Sequence, residues 1–280
     1  TGPAVVAQLD GHAVLRVRGS DARSFLHGQL AADITGLAVG EVVRSLLLNH
    51  RGHALAETMV VRGDDELLVV VEADRAEWVA ATLADHIIFD DVTLARVDDV
   101  ACLTLQGAGA AASLAAVLPA AATALSAAAE AGGAPRFWQG SGLDGGLDSA
   151  TEVVVYPRSR SAAGGYDVVV FAESGAPRSA PDVAARIVAD LAAAGALAVP
   201  AAAIDAARVV ARVTTVGGEG GEGVLPQEAD LTGALSYRKG CYLGQEVMAR
   251  IEARGSLKRG LATVELDGAG APHGAAPSPD

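Results

Sequence analysis

Lys239-Gly240-Cys241-Tyr242-Leu243-Gly244-Gln245-Glu246 is the segment of this 280-residue chain on which the interpretation of its fold depends. A thiol lies two residues after a lysine and between two glycines, and a run typical of a helix, residues 245–250, follows directly. A lysine and the free amide donors of a helix start form an electropositive environment, which favours thiolate over thiol. The segment is therefore predicted to carry chemistry or a ligand, with Cys241 as the reactive group and Lys239 as the neighbour that keeps it ionised.

The composition limits the possible partners. Hydrophobic residues make up 51% of the chain and aromatic residues only 4%, which predicts a core of valine, leucine and alanine divided over two or three subdomains. The net charge of -13 repels phosphate backbones and anionic lipids, so neither nucleic acid nor a membrane is expected as a partner. The two cysteines are far apart, which favours a reducing, cytoplasmic location over a disulfide framework.

Membrane segments and metal sites are not expected either. Residues 100–129 are uncharged and long enough to span a bilayer, but glycine, serine, glutamine and proline interrupt them. We predict a strand, a turn and a helix there. The N-terminus lacks the basic start and apolar run of a signal peptide, so none is expected. The six histidines show no ligand spacing, and no metal site is predicted.

A partial internal repeat predicts the domain organisation. The pattern around Gly19, with leucine and valine before it and Ala22 and Leu26 after it, returns 88 residues later around Gly107. Strand-type alternation and helix-type periodicity follow each copy in a similar order. We therefore predict an α+β fold with one unit over residues 1–98 and another over 99–200. Residues 201–256 would return to the first unit, and residues 257–280 would form a final segment and tail.

Two further groups of polar residues are candidates for binding. Leu225-Pro226-Gln227-Glu228 places a carboxylate after a proline-fixed turn, and the alternative for Glu228 is a solvated loop acid. A basic cluster in this acidic chain comprises Arg250, Arg254, Lys258 and Arg259. It is either a site for an anionic tail or a solvated helix face.

The segment from Lys239 to Glu246 closely resembles the signature of the YgfZ-type folate-binding proteins, which are relatives of the glycine-cleavage T-protein. The residues around Glu228, the turn Leu48-Asn49-x-x-Gly52 and the opening strand and helix, residues 16–33, resemble other parts of that family. The resemblance covers residues 13 to about 266 and is strongest at both ends. It implies a ring of ferredoxin-like α+β subdomains around a central cavity. The C-terminal β-barrel of the family would be missing or truncated, since only one barrel strand, residues 261–266, can be recognised.

The resemblance also implies a function. Family members bind a reduced folate, tetrahydrofolate or a one-carbon derivative of it, in the cavity and act in assembly or repair of iron–sulfur proteins. Cys241 and Lys239 would be the chemically active residues, with the sulfur at the wall of the folate cavity. A carboxylate such as Glu228 would face the pyrimidine donors, and Arg250 or a neighbour would meet the glutamate tail. The other cofactor-binding residues implied are Asn49, Gly240, Tyr242, Gly244, Gln245 and Glu246.

Two alternatives remain at this level. The T-protein carries an acidic pair on its second strand, and that pair falls on Ala56-Glu57 here, so one acid is missing. A folate-dependent aminomethyl or one-carbon transferase, or a demethylase, would have to use Glu57 alone. The other alternative is a non-enzymatic folate-binding module in which Cys241 is structural.

Overall fold

The computed structural model describes residues 2–9, 11–132, 134–140, 150–255 and 257–264, without the side chains of Ala73 and Arg254. The α+β class is confirmed. The strands are β1 Val5–Leu9, β2 His12–Arg18, β3 Val42–Leu48, β4 Ala54–Arg62, β5 Leu67–Glu72, β6 Thr93–Val97, β7 Val100–Gln106, β8 Trp138–Gly140, β9 Thr151–Pro157, β10 Gly165–Ala172 and β11 Leu197–Ala198. The helices are α1 Ala22–Gln29, α2 Ala73–Asp85, α3 Ala110–Val117, α4 Pro119–Ala131, α5 Ala180–Ala193, α6 Ala201–Val210 and α7 Gln245–Arg254, with a short 3₁₀ helix at Thr232–Ala234.

The strands form two sheets of the same plan. The first has the order β3-β4-β5-β2-β6 and the second the order β8-β9-β10-β7-β1-β11. The two units exchange one strand each, because β1 precedes β2 in the chain but pairs with β7, while β6 precedes β7 but pairs with β2. The repeat seen in the sequence therefore corresponds to two sheets of one topology, each of which contains one strand from the other unit's part of the chain. The exact domain boundaries stay a prediction.

Alternation along the strands separates the faces of the two sheets. In the first sheet Leu15 and Val69 pack under α1 and α2, and in the second sheet Leu103 packs under α3 and α5. The opposite faces, with residues such as Val70 and Val169, pack against each other in a core between the sheets. Because side chains of a strand alternate between faces, a polar residue in register with Val70 or Val169 points into this interface.

The chain after α5 returns to the first sheet. Leu46 and Leu48, at the end of β3, form a core with Leu231, Tyr242 and Met248. This core places the signature segment against the first unit. The backbone of residues 261–264 is not a strand, and residues 265–266 lie outside the described part of the chain, so the predicted barrel strand is not seen there.

The uncharged stretch of residues 100–129 is confirmed as a strand followed by helical structure, since β7, α3 and most of α4 lie within it. In the described part of the chain, none of the helices has the length and apolar character that a bilayer crossing requires.

Candidate functional site

Lys239 anchors the signature segment to the first unit. Its ammonium group donates hydrogen bonds to the backbone carbonyls of His27, Leu30 and Ala32. These carbonyls lie at the C-terminal end of α1, where the last turn of a helix leaves acceptors without partners and favours a positive charge. Lys239 therefore caps α1 from a segment more than 200 residues away.

This position departs from the role predicted for Lys239. Its side chain is buried, and burial lowers the pKa of Lys239 to about 8. The nitrogen lies 4.7 Å from the centre of the Tyr242 ring, and three carbonyls take up its hydrogens. These contacts give Lys239 a structural role and do not support the idea that it keeps the thiol of Cys241 ionised.

Tyr242 is part of the core between the signature segment and β3. Its ring packs with the cluster that contains Leu48 and Met248, and burial raises the pKa of its hydroxyl to about 12. That hydroxyl has no hydrogen-bond partner among the described residues. The predicted ligand-binding role of Tyr242 thus falls on a side chain that holds the segment in place.

Gly244 lies where two backbones meet. Its φ is 82°, in the left-handed region, and a Cβ there would lie 2.7 Å from the carbonyl oxygen of Asn49. The side-chain oxygen of Asn49 accepts the backbone N–H groups of Arg51 and His53 at 2.9 and 3.0 Å, so Asn49 shapes its own turn. Gly244 is therefore required by its packing on this turn, and the side chain of Asn49 holds the turn in shape.

The two signature glycines provide a matched test. Replacing Gly244 with alanine should lower the free energy of unfolding by about 1–3 kcal/mol, because a side chain in the left-handed region is strained. Replacing Gly240 with alanine should change it by less than about 0.5 kcal/mol, since a Cβ there meets nothing within 4 Å. Urea unfolding of both variants measures the difference. Equal effects at the two positions would show that the close contact with Asn49 is not the reason for a glycine at position 244.

Cys241 lies at the surface. Its side chain is exposed, and Gln245 donates from Nε2 to the Lys239 carbonyl at 3.3 Å beside it. Glu246 and Arg250 lie on exposed positions of α7. Cys241 is not among the residues that line the cavities described next, so the expectation that its sulfur lies at the wall of the ligand cavity does not hold for them.

Two adjoining cavities lie where the two units and the chain after α6 meet. We call the first, of about 490 Å³, the basic lobe, since Arg44, Arg158 and Arg212 line it together with Asp230. We call the second, of about 390 Å³, the acidic lobe, because its lining carries several carboxylates beside Arg212: Glu219, Glu228 and Asp230. Arg212, Val213, Thr214 and Asp230 belong to both linings and form the shared wall.

The shared wall is strained. Arg212 has φ 57° and Asp230 has φ 54°, and in the described part of the chain these are the non-glycine residues with a positive φ. Both side chains are exposed to the cavities, and the contacts of the described residues include none to the carboxylate of Asp230. Backbone strain of this kind concentrates at ligand-binding sites. The wall therefore presents one cation and one free carboxylate at the junction of the lobes.

Glu228 forms the buried floor of the acidic lobe. Its carboxylate is 6% exposed and accepts two hydrogen bonds from Arg259, Nε to Oε1 at 3.1 Å and Nη2 to Oε2 at 2.8 Å. The backbone N–H of Leu225 donates to Oε2 at 3.1 Å. The hydrogen bonds from Arg259 lower the pKa of Glu228 and keep it ionised. Glu228 is thus an anion held in a fixed position in the acidic lobe, and its role in binding a ligand stays a prediction.

Glu57 lies in the interface between the sheets. Its carboxylate pairs with Arg44 at 2.8 Å and with Arg158, and all three side chains are largely buried. Burial raises the pKa of Glu57, but Arg158 and then Arg44 outweigh it, so the pKa lies below its usual value. An ionised carboxylate carries no proton to donate, and its two guanidinium partners make it a weak base. Glu57 thus fits an ion-pair role better than acid catalysis.

Sequence reasoning missed four charged residues of the lobes, namely Arg44, Arg158, Arg212 and Asp230. Arg44 stands between the buried Val42 and Leu46 on β3, so alternation alone places it in the sheet interface. Arg158 directly follows β9. Arg212 lies in no motif. Asp230 belongs to the segment around Glu228 that resembles the family, but nothing in the sequence singles it out, and the left-handed backbone of both residues has no sequence signal. Of the predicted basic cluster, Arg250 and Lys258 are exposed, Arg259 pairs with Glu228, and the side chain of Arg254 lies outside the described part.

Comparison with protein families gives one match that covers most of the chain. The family described as GCVT N-terminal domain matches residues 5–239. That range contains both sheets, the charged residues that line both lobes, and the chain up to Lys239.

Curated relatives and solved structures agree with that match. The chain is 26% identical over 273 residues to "tRNA-modifying protein YgfZ" of Klebsiella pneumoniae (strain 342), which covers 94% of this chain and 72% of the relative. It is 25% identical over 261 residues to the protein of the same name from Edwardsiella ictaluri (strain 93-146), covering 92% and 70%. The crystal structure of the glycine cleavage system aminomethyltransferase T from Bartonella henselae superposes with a TM-score of 0.68 at 19% identity, covering 90% of this chain. This chain spans 64% of that protein's length, and the likeness concerns the fold.

Proposed function

Since this chain belongs to the GCVT N-terminal domain family, we propose that it binds tetrahydrofolate, or a one-carbon derivative of it, between the two lobes. The observation that carries the proposal is the opposite charge of two adjoining cavities. A folate is elongated, with a hydrogen-bond-donating pyrimidine ring at one end and carboxylates at the other. The two lobes offer carboxylates to the first and guanidinium groups to the second.

The acidic lobe suits the pyrimidine ring. Its 2-amino group and N3–H are two parallel donors, and a carboxylate accepts such a pair in bidentate form. Glu228 supplies a buried carboxylate and Asp230 an exposed one without a partner among the described residues. The volumes of about 390 and 490 Å³ lie within the range of about 300–1,000 Å³ that is usual for small-molecule sites.

The basic lobe suits the glutamate tail. Arg212 stands at the shared wall with its side chain exposed, and Arg44 donates to the Thr214 carbonyl of that wall at 2.8 Å. A tail that reaches these groups meets fixed cations inside a cavity. Arg212 thus takes the role that the sequence assigned to Arg250, which lies outside both linings. When bound, a reduced folate would supply one-carbon chemistry at N5 and N10, and this chain's residues would hold and orient it.

We further propose that the protein is an accessory factor in assembly or repair of iron–sulfur enzymes, with Cys241 as its contact to the client. The exposed thiol supports this idea, because a surface sulfur can meet a cluster carried by another protein. The curated relatives are named for tRNA modification. A net charge of -13 opposes contact with a phosphate backbone, so we propose that this chain acts on a modifying enzyme and not on tRNA itself.

The folate part of the proposal predicts which groups matter for affinity. The primary amide of tetrahydropteroic acid, which lacks the glutamate and carries no carboxylate, should bind at least about tenfold more weakly than tetrahydrofolate, since a charge-assisted hydrogen bond contributes ~1.5–3 kcal/mol. Arg212→Gln should bring tetrahydrofolate down to the affinity of this amide and leave the affinity of the amide unchanged. Titration calorimetry measures both ligands. The matched control is Arg250→Gln, which should bind as the wild type does; if it instead loses the tail's contribution, the lobe assignment is wrong.

A further inference from the structure

The two partners of the ion pair between Glu228 and Arg259 differ in their exposure to solvent. The carboxylate is almost completely buried at 6% exposure, whereas the guanidinium is 62% exposed. Arg259 therefore shields from solvent a buried carboxylate that lines the acidic lobe. Arg259 also donates from Nη2 to the Gly223 carbonyl at 2.7 Å, so the guanidinium bridges Glu228 and the backbone of Gly223.

The donor pattern of Arg259 matches that of a pterin. Its Nε–H and one Nη2–H point in parallel at the two oxygens of Glu228. The edge of a 2-amino-4-oxopyrimidine carries the same substructure, a carbon joined to three nitrogens, with parallel donors on N3 and the 2-amino group. Both groups are planar forks that bind a carboxylate through two hydrogen bonds.

The segment that carries Arg259 is loosely held. Residues 257–264 are exposed throughout, and their backbone forms neither strand nor helix. Besides Arg259, this segment is held by a hydrogen bond from Arg212 Nε to Thr263 Oγ1 at 2.9 Å, and Leu261, Ala262, Thr263 and Val264 line the acidic lobe. Among the described residues this segment makes few polar contacts, so it can move without disturbing the hydrophobic cores of the protein.

We propose that Arg259 is an internal stand-in for the pyrimidine edge of the folate, and that folate binds by displacing the guanidinium from Glu228. Because a buried carboxylate without a partner is unfavourable, Arg259 satisfies Glu228 while no folate is bound. The carboxylate is then released only to a group that replaces both hydrogen bonds. The inference rests on the proposed folate function and adds a selection rule: the site admits ligands with a guanidine-like edge.

The test compares three variants of the full chain in calorimetry with tetrahydrofolate and with the fragments pterin and lumazine, the latter having oxygen in place of the 2-amino group. Arg259→Gln should bind tetrahydrofolate and pterin about tenfold more tightly, because the competent fraction of the site rises when the internal competitor is removed. Lumazine should bind weakly to every form. Arg259→Lys, which keeps the charge but loses the fork, should fall between the wild type and Arg259→Gln.

Lys258→Gln is the matched control, since it removes a neighbouring exposed charge and should leave all affinities unchanged. Thermal unfolding checks that each variant is folded. If the wild type binds tetrahydrofolate and Arg259→Gln binds it equally or more weakly, the displacement inference is overturned while the folate proposal stands. Equal gains for pterin and lumazine would overturn the selection rule and with it the inference. Absence of folate binding in all forms would overturn the proposed function as well.

Discussion

Replacing Glu57 with glutamine is expected to lower the free energy of unfolding by about 3–5 kcal/mol. Glu57 is the shared anion of Arg44 and Arg158 in the interface between the sheets. A neutral amide leaves two largely buried guanidinium groups without their counter-charge. Removing one partner from such a cluster is far more costly than the net value of the cluster itself, because the remaining charges stay desolvated.

Urea unfolding of Glu57→Gln against the wild type measures this loss. Glu77→Gln is the control, because Glu77 is an exposed acid on α2 and the same chemical change there should cost less than about 0.5 kcal/mol. A loss below about 1 kcal/mol for Glu57→Gln would mean that water reaches the ion pairs. It would also reopen the one-carbon transferase hypothesis, which needs a Glu57 able to exchange protons.

The same ion pairs predict a pH dependence. The folded-state pKa of Glu57 lies below the usual carboxyl value of 4.5, so its contribution to stability is present above that value. As the pH falls through the folded-state pKa, the unfolded chain already binds the proton and the folded chain must follow, so stability decreases. The wild type should therefore lose more stability than Glu57→Gln between pH 5 and acid unfolding. Parallel curves for the two proteins would contradict the lowered pKa.

Replacing Cys241 with serine is expected to abolish the cellular function while leaving the fold and the folate site intact. The side chain is exposed and lies outside the cavity linings, so stability should change by less than about 0.5 kcal/mol and tetrahydrofolate affinity should not change. If the thiol makes the contact to an iron–sulfur client, Cys241→Ser should restore no more cluster-enzyme activity than the empty vector in cells that lack their own copy.

The second cysteine makes a chemical version of this test possible. Cys102 is buried in the interface between the sheets, and burial raises the pKa of its thiol. An alkylating reagent should therefore label the native protein once, at Cys241, and labelled protein should match Cys241→Ser in the cluster assay. Full rescue by the serine variant would remove the thiol from the mechanism and leave a folate-binding module in which Cys241 has no chemical part.

Much of the fold was predictable because its signals are local. The apolar residues of Val42–Leu48 and the alternation along Ala54–Arg62 are enough to place these strands, and the spacing of Gly19 and Gly107 indicates the two units. The exchange of β1 and β6 between the two sheets was not predictable. β1 pairs with β7 at a distance of about 95 residues in the chain, and no local pattern distinguishes that partner from β2.

The candidate site shows a different limit. The signature was recognised, but the partners of its residues were not. Lys239 was expected beside the thiol, yet its hydrogen bonds go to the end of α1, since a buried ammonium takes the nearest set of free carbonyls. The charged residues of the basic lobe are Arg44, Arg158, Arg212 and Asp230, which long-range packing and a strained backbone bring together. Such long-range contacts depend on the whole folded chain and cannot be read from any one segment.

The location of bound tetrahydrofolate tests the central claim most directly. The measurement is a crystal structure of the full chain grown with tetrahydrofolate. The account predicts that the pyrimidine ring contacts Glu228 in the acidic lobe, that the tail carboxylates reach Arg212 in the basic lobe, and that Arg259 has left the carboxylate. A folate bound elsewhere, or with its carboxylates in the acidic lobe, would contradict the account.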